Sequence, residues 1–363
     1  MNDRRTRLRP PAAATGRRAG IGYAARALGV SLLVLAVTAC STDQRTPLVV
    51  YSPHGPALLD AFEARFEAEY PEYDLQTFDL PSQTIPDRLR AERAIPQADV
   101  WFGASAVTFA DAAAEGLLEP YVPSYASAIA EDAHDVEWRW AGLYETPEII
   151  AYSTAVIPES EAPRDWDDLL DPKWRNRILI RDPNPSDTMR TIFGSMILRR
   201  WSETNGPEGG FEWLRGLARN TKDYPTSWDG LLLRINRQEA DVTVWNLPDV
   251  SRVIRERDYA LAIVFPKSGS PVVTDAIAIV RGAPRAEGAR LFYEFCGRPD
   301  NLAFAAEAFY RIPARNDLDR ATLPEWARNL EYKKLPMDWN LYRTNIKSWM
   351  TTWTSDIRSE SPK

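Results

Sequence analysis

The sequence predicts an α/β fold built as two lobes, and two observations indicate it. From Leu48 onward, strand and helix patterns alternate with short links, which is typical of a parallel sheet covered by helices. Two extended segments, near residues 144–150 and 271–277, bracket a middle region with its own α/β pattern. A chain that leaves one lobe, builds a second and returns would show this order. We therefore expect a ligand cleft between the lobes, where strand ends and helix starts meet.

The first 39 residues are predicted to be a secretory signal. Residues 1–26 contain seven Arg and one Asp, and a 13-residue apolar run from Ala27 to Ala39 follows them. This run is too short to span a bilayer, which takes about 20 residues. Residues 37–40, Val-Thr-Ala-Cys, are similar to a bacterial lipobox, so Cys40 is expected to carry lipid and become the new N-terminus. An ordinary signal with an incidental Cys is the alternative. No other membrane segment is expected.

Charge and cysteine content exclude several classes of protein. The 363-residue chain has a formal net charge of −7, and from Cys40 onward 37 Lys and Arg stand against 50 Asp and Glu. An acidic body disfavours a nucleic-acid partner, because phosphate binding needs a basic face. Two Cys and two His exclude a disulfide scaffold and Cys-rich or His-based metal centres. Cys296 lies in an apolar helical stretch and is expected to be a buried small hydrophobe.

The elements divide between the lobes in chain order. After the signal (1–39) and the lipidated Cys with its tether (40–46), we assign residues 47–146 and 272–325 to lobe 1. Residues 147–271 form lobe 2, and residues 326–363 form a C-terminal helical segment packed on the lobes. We predict strands at 48–51, 75–80, 98–102, 177–181, 240–245 and 271–280, and a strand kinked at Thr146-Pro147 within 138–153. Helices are expected after residue 55 and at about 86–94, 103–116, 186–201, 211–218, 229–236, 286–296 and 301–309.

Several motifs, in one order along nearly the whole mature chain, resemble a known family. The most specific is the stretch 165–174, Asp-Trp-Asp-Asp-Leu-Leu-Asp-Pro-Lys-Trp. The others are residues 49–53, 96–104, 182–183, 276–284, 311–315 and 337–340. Together they resemble the extracellular solute-binding proteins of ABC importers, in the type II family that includes ferric-iron, sugar-phosphate and phosphonate receptors.

The resemblance implies a two-lobed type II periplasmic-binding fold that closes about two hinge crossings on a small solute. It implies ABC permease subunits as partners, a monomer anchored through lipidated Cys40 in the periplasm or cell envelope, and no cofactor. A sensory receptor of the same fold, which does not transport, is an alternative. An enzyme is not expected, because the nucleophile-elbow, zinc-protease, phosphate-loop and dinucleotide motifs are missing from the sequence. The pair Asp167-Asp168 could serve a glycosidase, but adjacent carboxylates point apart.

Three predicted helix starts supply the first ligand-binding candidates. They are Ser52 with His54, where Ser52 is expected to cap a helix that has Pro53 at its first position; Ala104 and Ser105, after Gly103; and Ser186 with Thr188. Helix N-termini present free N–H groups and partial positive charge, so converging starts favour an anionic group. Plain helix capping is the alternative at each place.

The remaining candidates lie on strands, namely Tyr144 and Glu145 at the first crossing and Trp245 and Asn246 at the end of the middle strand. Trp245 is expected to stack on the ligand, and core packing is the alternative. As a ligand contact, Trp245→Ala would weaken binding and leave the melting temperature nearly unchanged. Ferric members of the family carry adjacent tyrosines on this strand, and this chain has no Tyr-Tyr pair. A small anionic or phosphorylated solute is therefore expected. Binding of ferric iron or a metal chelate is the alternative, and no resident metal is assigned.

Overall fold

The computed structural model describes residues 44–360, so the predicted signal segment and Cys40 lie outside the described residues. Its strands are β1 (Thr46–Ser52), β2 (Tyr73–Asp79), β3 (Val100–Ser105), β4 (Leu118–Glu119), β5 (Ala141–Ser153), β6 (Ile178–Leu179), β7 (Thr221–Asp223), β8 (Val242–Asn246), β9 (Leu261–Val264), β10 (Val272–Val280) and β11 (Ile312–Pro313). Its helices are α1 (Pro56–Glu69), α2 (Thr84–Ala91), α3 (Ala106–Ala114), α4 (Asp187–Arg199), α5 (Trp201–Thr204), α6 (Glu208–Asn220), α7 (Trp228–Asn236), α8 (Leu247–Arg257), α9 (Ala286–Gly297), α10 (Pro299–Phe309), α11 (Glu325–Arg328) and α12 (Trp339–Thr352).

One sheet passes through the whole described body in the order β2-β1-β3-β10-β5-β8-β6-β7, with β4 on β10 and with β9 and β11 on β5. Strand β5 joins the two halves of this sheet. Its first half pairs with β10, up to Pro147 opposite Val272, and its second half pairs with β8 and β9 from Glu148 onward. The predicted kink at Thr146-Pro147 is wrong, because the strand runs through it without a break. What changes there is the partner strand.

The hydrophobic cores follow this change of partner. Two clusters on opposite faces of the sheet draw their buried residues from 48–144 and 276–305, and we call this part lobe 1. A third cluster draws on 149–261 and 342–357, and we call this part lobe 2. Helix α12 belongs to the lobe 2 core through Trp349 and Met350, and its Arg343 Nε also donates to Asp111 of α3 in lobe 1 at 2.7 Å. The fold class is confirmed as mixed α/β with two lobes.

The folded body begins before the end of the predicted tether. Arg45 donates to the backbone carbonyl of Tyr73 and to Asp74, at 3.2 and 2.8 Å, and β1 starts at Thr46. Within residues 44–360, no helix combines the length and the apolar character that a membrane crossing requires.

Two acidic motifs of the sequence serve the fold. Asp99 is fully buried, and its carboxylate accepts from the backbone N–H groups of Val49 and Arg285 at 2.9 and 2.7 Å, so it ties three segments of lobe 1 together. Asp167 accepts from Arg199, Arg200 and the indole of Trp213, whereas Asp168 accepts from the backbone of residues 164 and 165. The two adjacent carboxylates therefore point apart, as structural groups of lobe 2.

Candidate ligand cleft

A cavity of about 220 Å³ lies between the lobes, where strand ends and helix starts converge. Sites for drug-sized ligands span about 300–1,000 Å³, so this cavity suits a smaller solute. Lobe 1 lines it with the segments after β1, β2 and β3, and lobe 2 with the starts of α4, α7 and α8. Strands β5 and β10 and the residue before β11 complete the lining through Thr146, Val273, Asp275 and Arg311.

The segment after β1 places His54 in the wall. The predicted capping role of Ser52 is wrong, since Gly55 precedes α1 and Pro56 is its first residue. Ser52 instead ends β1, fully buried behind the wall, and its Oγ accepts from the backbone N–H of His54 at 3.2 Å. The ring of His54 packs edge-to-face on Phe102, with 4.7 Å between ring centroids.

His54 is held neutral. Burial, and then the positive charge of Arg311, lower the pKa of the imidazole well below its ordinary value. Neither ring nitrogen has a hydrogen-bond partner among the described residues. Gly103 makes this position possible, because a Cβ there would stand 2.5 Å from the ring. A neutral imidazole can either donate to or accept from a solute.

The end of β3 departs from the predicted helix start. Gly103 and Ala104 are the last strand positions before Ser105, both with positive φ (93° and 104°), and α3 begins at Ala106. A positive φ at alanine costs about 1–3 kcal/mol and is typical of ligand sites. Ser105 caps α3, since its Oγ accepts from the backbone N–H of Thr108 at 3.3 Å. Ala104 and Ser105 both line the cavity.

The start of α4 brings Ser186 and Thr188 to the cavity from lobe 2. Ser186 is the N-cap, and its Oγ accepts from the backbone N–H of Met189 at 3.3 Å. The N–H groups of Asp187 and Thr188, the first two of the helix, have no partner within an α-helix and carry its partial positive charge. Arg181 lines the cavity beside them, and burial lowers the pKa of its guanidinium.

Trp245 and Asn246 lie at the end of β8 and also line the cavity. Asn246 caps α8, a helix that the sequence analysis did not predict, by accepting from the backbone N–H of Asp249 at 2.9 Å. The carboxylate of Asp249 accepts from Trp245 Nε1 at 2.9 Å and from Asn246 Nδ2 at 3.0 Å. Trp245 is only 2 % exposed and belongs to the lobe 2 core. This burial argues against the expectation that its truncation leaves stability unchanged.

A buried ion pair forms the floor of the cavity at the hinge. Arg311 Nη1 stands 3.2 Å from Asp275 Oδ2, and the hydroxyl of Thr146 donates to the same oxygen at 2.7 Å. Burial raises the pKa of Asp275, and Arg311 opposes this rise. Behind the floor, burial and then the charges of Asp275 and Asp249 raise the pKa of Glu148 well above its ordinary value.

Besides Ser52, two predicted residues lie outside the cavity lining. Tyr144 is fully buried, with its ring 6.0 Å from that of His54, and its hydroxyl has no partner among the described residues. Glu145 lies between Tyr144 and Thr146 on β5, so its side chain points to the opposite face of the sheet. There it accepts from Lys334 Nζ at 2.6 Å and lines a separate groove.

The structure thus brings seven of the ten predicted residues to one cavity: His54, Ala104, Ser105, Ser186, Thr188, Trp245 and Asn246. It adds charged residues that the sequence analysis did not select, namely Asp79, Arg181, Asp187, Asp249, Asp275 and Arg311. Arg311 stood inside a motif of the resemblance, and Asp187 lies between the predicted residues Ser186 and Thr188, so these were the available signals. Nothing local marks Asp275 and Arg311 as partners, because 36 residues separate them.

The cavity carries more negative than positive charge. Arg311 is matched by Asp275, and Arg181 has no carboxylate within 4.0 Å among the described residues. Asp187 and Asp249 accept only from neutral donors. Burial raises the pKa of Asp79, and the backbone N–H of Gly55 opposes this rise. In the described part of the chain, three carboxylates without an ion pair (Asp79, Asp187 and Asp249) therefore line the same cavity as one guanidinium without an ion pair, that of Arg181, whose Nε donates to the backbone carbonyl of Thr226 at 3.0 Å. Within residues 44–360, no group of three His, Cys, Asp or Glu side chains has an arrangement that could hold a metal ion.

The two lobes, the shared strand β5 and the small polar cleft between them form a candidate binding site for a small solute. Residues 96–334 match the family model described as bacterial extracellular solute-binding protein. This protein therefore belongs to the bacterial extracellular solute-binding protein family.

Relatives and solved structures agree with this assignment. The chain is 25% identical over 319 residues, 86% of each chain, to a "Probable ABC transporter periplasmic-binding protein" of Sinorhizobium fredii. It is 24% identical over 239 residues, 62% of this chain and 64% of the relative, to "Iron uptake protein A1" of Synechocystis. Among solved structures, the periplasmic binding protein AfuA of Actinobacillus pleuropneumoniae, with fructose-6-phosphate bound, matches with a TM-score of 0.76 at 23% identity, over 86% of this chain and 99% of that chain.

Proposed function

We propose that this protein is the solute-binding component of an ABC importer and that its solute is a small zwitterion with a phosphoryl-type oxyanion and an amine. The single observation that carries the choice of solute is the charge arrangement of the cavity. An oxyanion seat and an unmatched carboxylate lie in the same small space. A purely anionic solute, as the sequence analysis expected, leaves that carboxylate without a partner.

The oxyanion seat lies at the start of α4. Arg181 supplies a guanidinium with no carboxylate in contact among the described residues, and the first N–H groups of α4 supply donors and partial positive charge. The hydroxyl of Thr188 adds a neutral donor. From lobe 1, Arg311 faces the same cavity. Charge-assisted hydrogen bonds from a guanidinium to an oxyanion are about twice as strong as neutral ones.

The amine seat is Asp249, next to the indole of Trp245. Its carboxylate accepts only from Trp245 and Asn246, both neutral, and Trp228 lines the same cavity. A cation near an aromatic face gains about 0.5–2 kcal/mol, and a carboxylate gives it a charged partner. Arg181 already stands over the Trp245 ring, 5.2 Å from its centroid, so the oxyanion and amine seats are close neighbours. That spacing suits a short solute.

The site residues come from both lobes, so closure would complete the site. A solute that contacts Arg311 and His54 of lobe 1 and Thr188 and Asp249 of lobe 2 stabilises the closed state over an open one. Closure is then a shift of population, with the hinge at the two crossings of residues 144–150 and 271–277. The lobe boundaries of the sequence analysis, 47–146 with 272–325 and 147–271, are part of this proposal.

The proposal includes export and anchoring. Residues 1–39 would act as the signal, Cys40 would carry the lipid, and the monomeric body would stay beside its permease, with no catalytic activity. Replacing Cys40 with Ser should release the protein from the membrane fraction into the soluble fraction. Deleting a neighbouring permease gene should abolish uptake of the solute; a sensor that does not transport would leave uptake unchanged.

A thermal-shift series of matched compounds tests the choice of solute. We expect 2-aminoethylphosphonate to raise the melting temperature more than 3-aminopropanoate, which has a carboxylate in place of the phosphonate. Ethylphosphonate and ethylamine, each lacking one group, should have small effects. Stabilisation by ferric ion or ferric citrate, with none by the zwitterions, would favour the iron-binding alternative and contradict the proposal.

A further inference from the structure

Asp187 crosses the cleft. It is the first residue of α4 in lobe 2, yet its carboxylate accepts from lobe 1 donors only, in the hydrogen bonds found among the described residues. The backbone N–H of Ser105 stands 3.3 Å from Oδ2, and the hydroxyl of Thr108 stands 3.1 Å from the same oxygen. The side-chain amide of Gln83 donates to Oδ1.

These donors form an oxyanion seat. They belong to three different parts of lobe 1: the end of β3, the first turn of α3 and the residue before α2. They converge at the start of a nine-residue helix, where the helix dipole adds partial positive charge. The carboxylate of Asp187 is itself the anionic group seated there. Sequence analysis expected the ligand at this place, and the protein's own side chain occupies it.

Asp187 also separates two spaces. With Ser105 it lines both the inner cavity and an outer cavity of about 350 Å³ that is bounded by α2, α3, α4 and α12. Within the inner cavity, the seat around Arg181 and the start of α4 remains open. A second oxyanion on the same solute would have to displace Asp187 or lie against its charge. Like charges brought together at a binding site cost several kcal/mol.

We propose that Asp187 is a specificity-determining residue: an internal anion that fills the second oxyanion seat of the cleft, so that the protein accepts solutes with one oxyanion and rejects those with two. This inference rests on the proposed function for the identity of the first seat. A purely structural role for Asp187, holding the lobes together, would change the affinity for all solutes alike. Selectivity between singly and doubly charged probes separates these two roles.

The test is a calorimetric titration of the purified chain and its variants with methylenediphosphonate, which has two oxyanions, and with 2-aminoethylphosphonate, which has one. Asp187→Ala empties the seat, and Asp187→Asn removes the charge while keeping the shape and one acceptor oxygen. Asp182→Asn is the matched control, because it removes a charge five residues earlier, from a carboxylate that pairs with Arg358 and does not line the cavity.

We expect Asp187→Ala to bind methylenediphosphonate at least about tenfold more tightly than the unmodified protein, with Asp187→Asn between the two and Asp182→Asn unchanged. The inference is overturned if Asp187→Ala and the unmodified protein bind methylenediphosphonate with equal affinity, or if neither binds it. It is also overturned if Asp182→Asn gains as much affinity as Asp187→Ala. A different outcome separates the two proposals. If the unmodified protein does not bind 2-aminoethylphosphonate, but Asp187→Ala still binds methylenediphosphonate more tightly as expected, the proposed solute is rejected and the role of Asp187 is supported.

Discussion

The ion pair between Arg311 and Asp275 offers a quantitative prediction. Both side chains are nearly buried, with 10% and 11% of their surfaces exposed, and they meet on the cavity floor. Arg311→Met keeps an apolar stem of similar length and removes the charge, which leaves Asp275 with only the Thr146 hydroxyl. Removing one partner of a buried pair costs about 3–5 kcal/mol. We expect the free energy of unfolding to fall by about that amount at pH 8.

The loss should depend on pH with a defined sign. Burial raises the pKa of Asp275, and Arg311 is the main group that opposes the rise. Without Arg311 the folded-state pKa rises further above the unfolded value. A carboxyl whose pKa is higher in the folded than in the unfolded protein contributes to the free energy of unfolding at low pH, where it is protonated. This contribution is lost as the pH rises through the folded-state pKa. The deficit of Arg311→Met should therefore be smaller at pH 5 than at pH 8.

Urea unfolding followed by tryptophan fluorescence measures this, and the double variant Arg311→Met/Asp275→Asn is the control. The asparagine has no charge, and its amide oxygen still accepts from Thr146. We expect the double variant to regain most of the stability at pH 8. The reasoning is refuted if the double variant is no more stable than Arg311→Met, or if Arg311→Met is as stable as the unmodified protein.

Three further substitutions have expected outcomes. Trp245→Ala should lower the free energy of unfolding by about 3–5 kcal/mol, because the indole is 2 % exposed in the lobe 2 core. The folded-state pKa of Glu148 is raised, so ionising this glutamate costs folding stability as the pH rises above its unfolded pKa. Glu148→Gln should therefore lose less stability over that pH range than the unmodified protein. Tyr144→Phe should keep or raise the melting temperature, because the buried hydroxyl has no partner among the described residues.

Melting curves from pH 5 to pH 8 check all three. An unchanged melting temperature for Trp245→Ala would show that the indole belongs to the ligand site and not to the core. A parallel decline of Glu148→Gln and the unmodified protein would exclude Glu148 as the source of the pH dependence. A marked loss of stability in Tyr144→Phe would mean that its hydroxyl has a partner.

Much of the fold could be predicted because its signals are local. Apolar spacing along α1 and the alternation of strand and helix up to α3 appear in the sequence and in the structure with shifts of a few residues. The missed helix α8 starts with Leu-Pro-Asp directly after a strand, and its surface is largely charged. The error at Gly103-Ala104 has another cause. Both residues have positive φ, and a Cβ at Gly103 would stand 2.5 Å from the ring of His54, a contact between distant parts of the chain that local propensity does not report.

The site was only half predictable for a related reason. Helix starts are marked by Ser and Asn caps, and those at Ser105, Ser186 and Asn246 do reach the cavity. The charges that choose the solute come from positions far apart in the chain. Asp187 meets Gln83 across 104 residues, and no periodicity or capping rule reports such a contact. The predicted ligand-binding residues Ala104 and Ser105 at the start of α3 do line the cavity, but nothing in the sequence indicated that the carboxylate of Asp187 lies there.

The central claim is that the cleft recognises an oxyanion and an amine on one small solute, with Asp249 as the amine's partner. Calorimetric titration of the unmodified protein and Asp249→Asn, with 2-aminoethylphosphonate and ethylphosphonate, tests it most directly. The account predicts that the unmodified protein prefers the aminated compound by about tenfold or more, and that Asp249→Asn loses this preference. Equal affinity of the unmodified protein for both compounds, or an undiminished preference in Asp249→Asn, would contradict it.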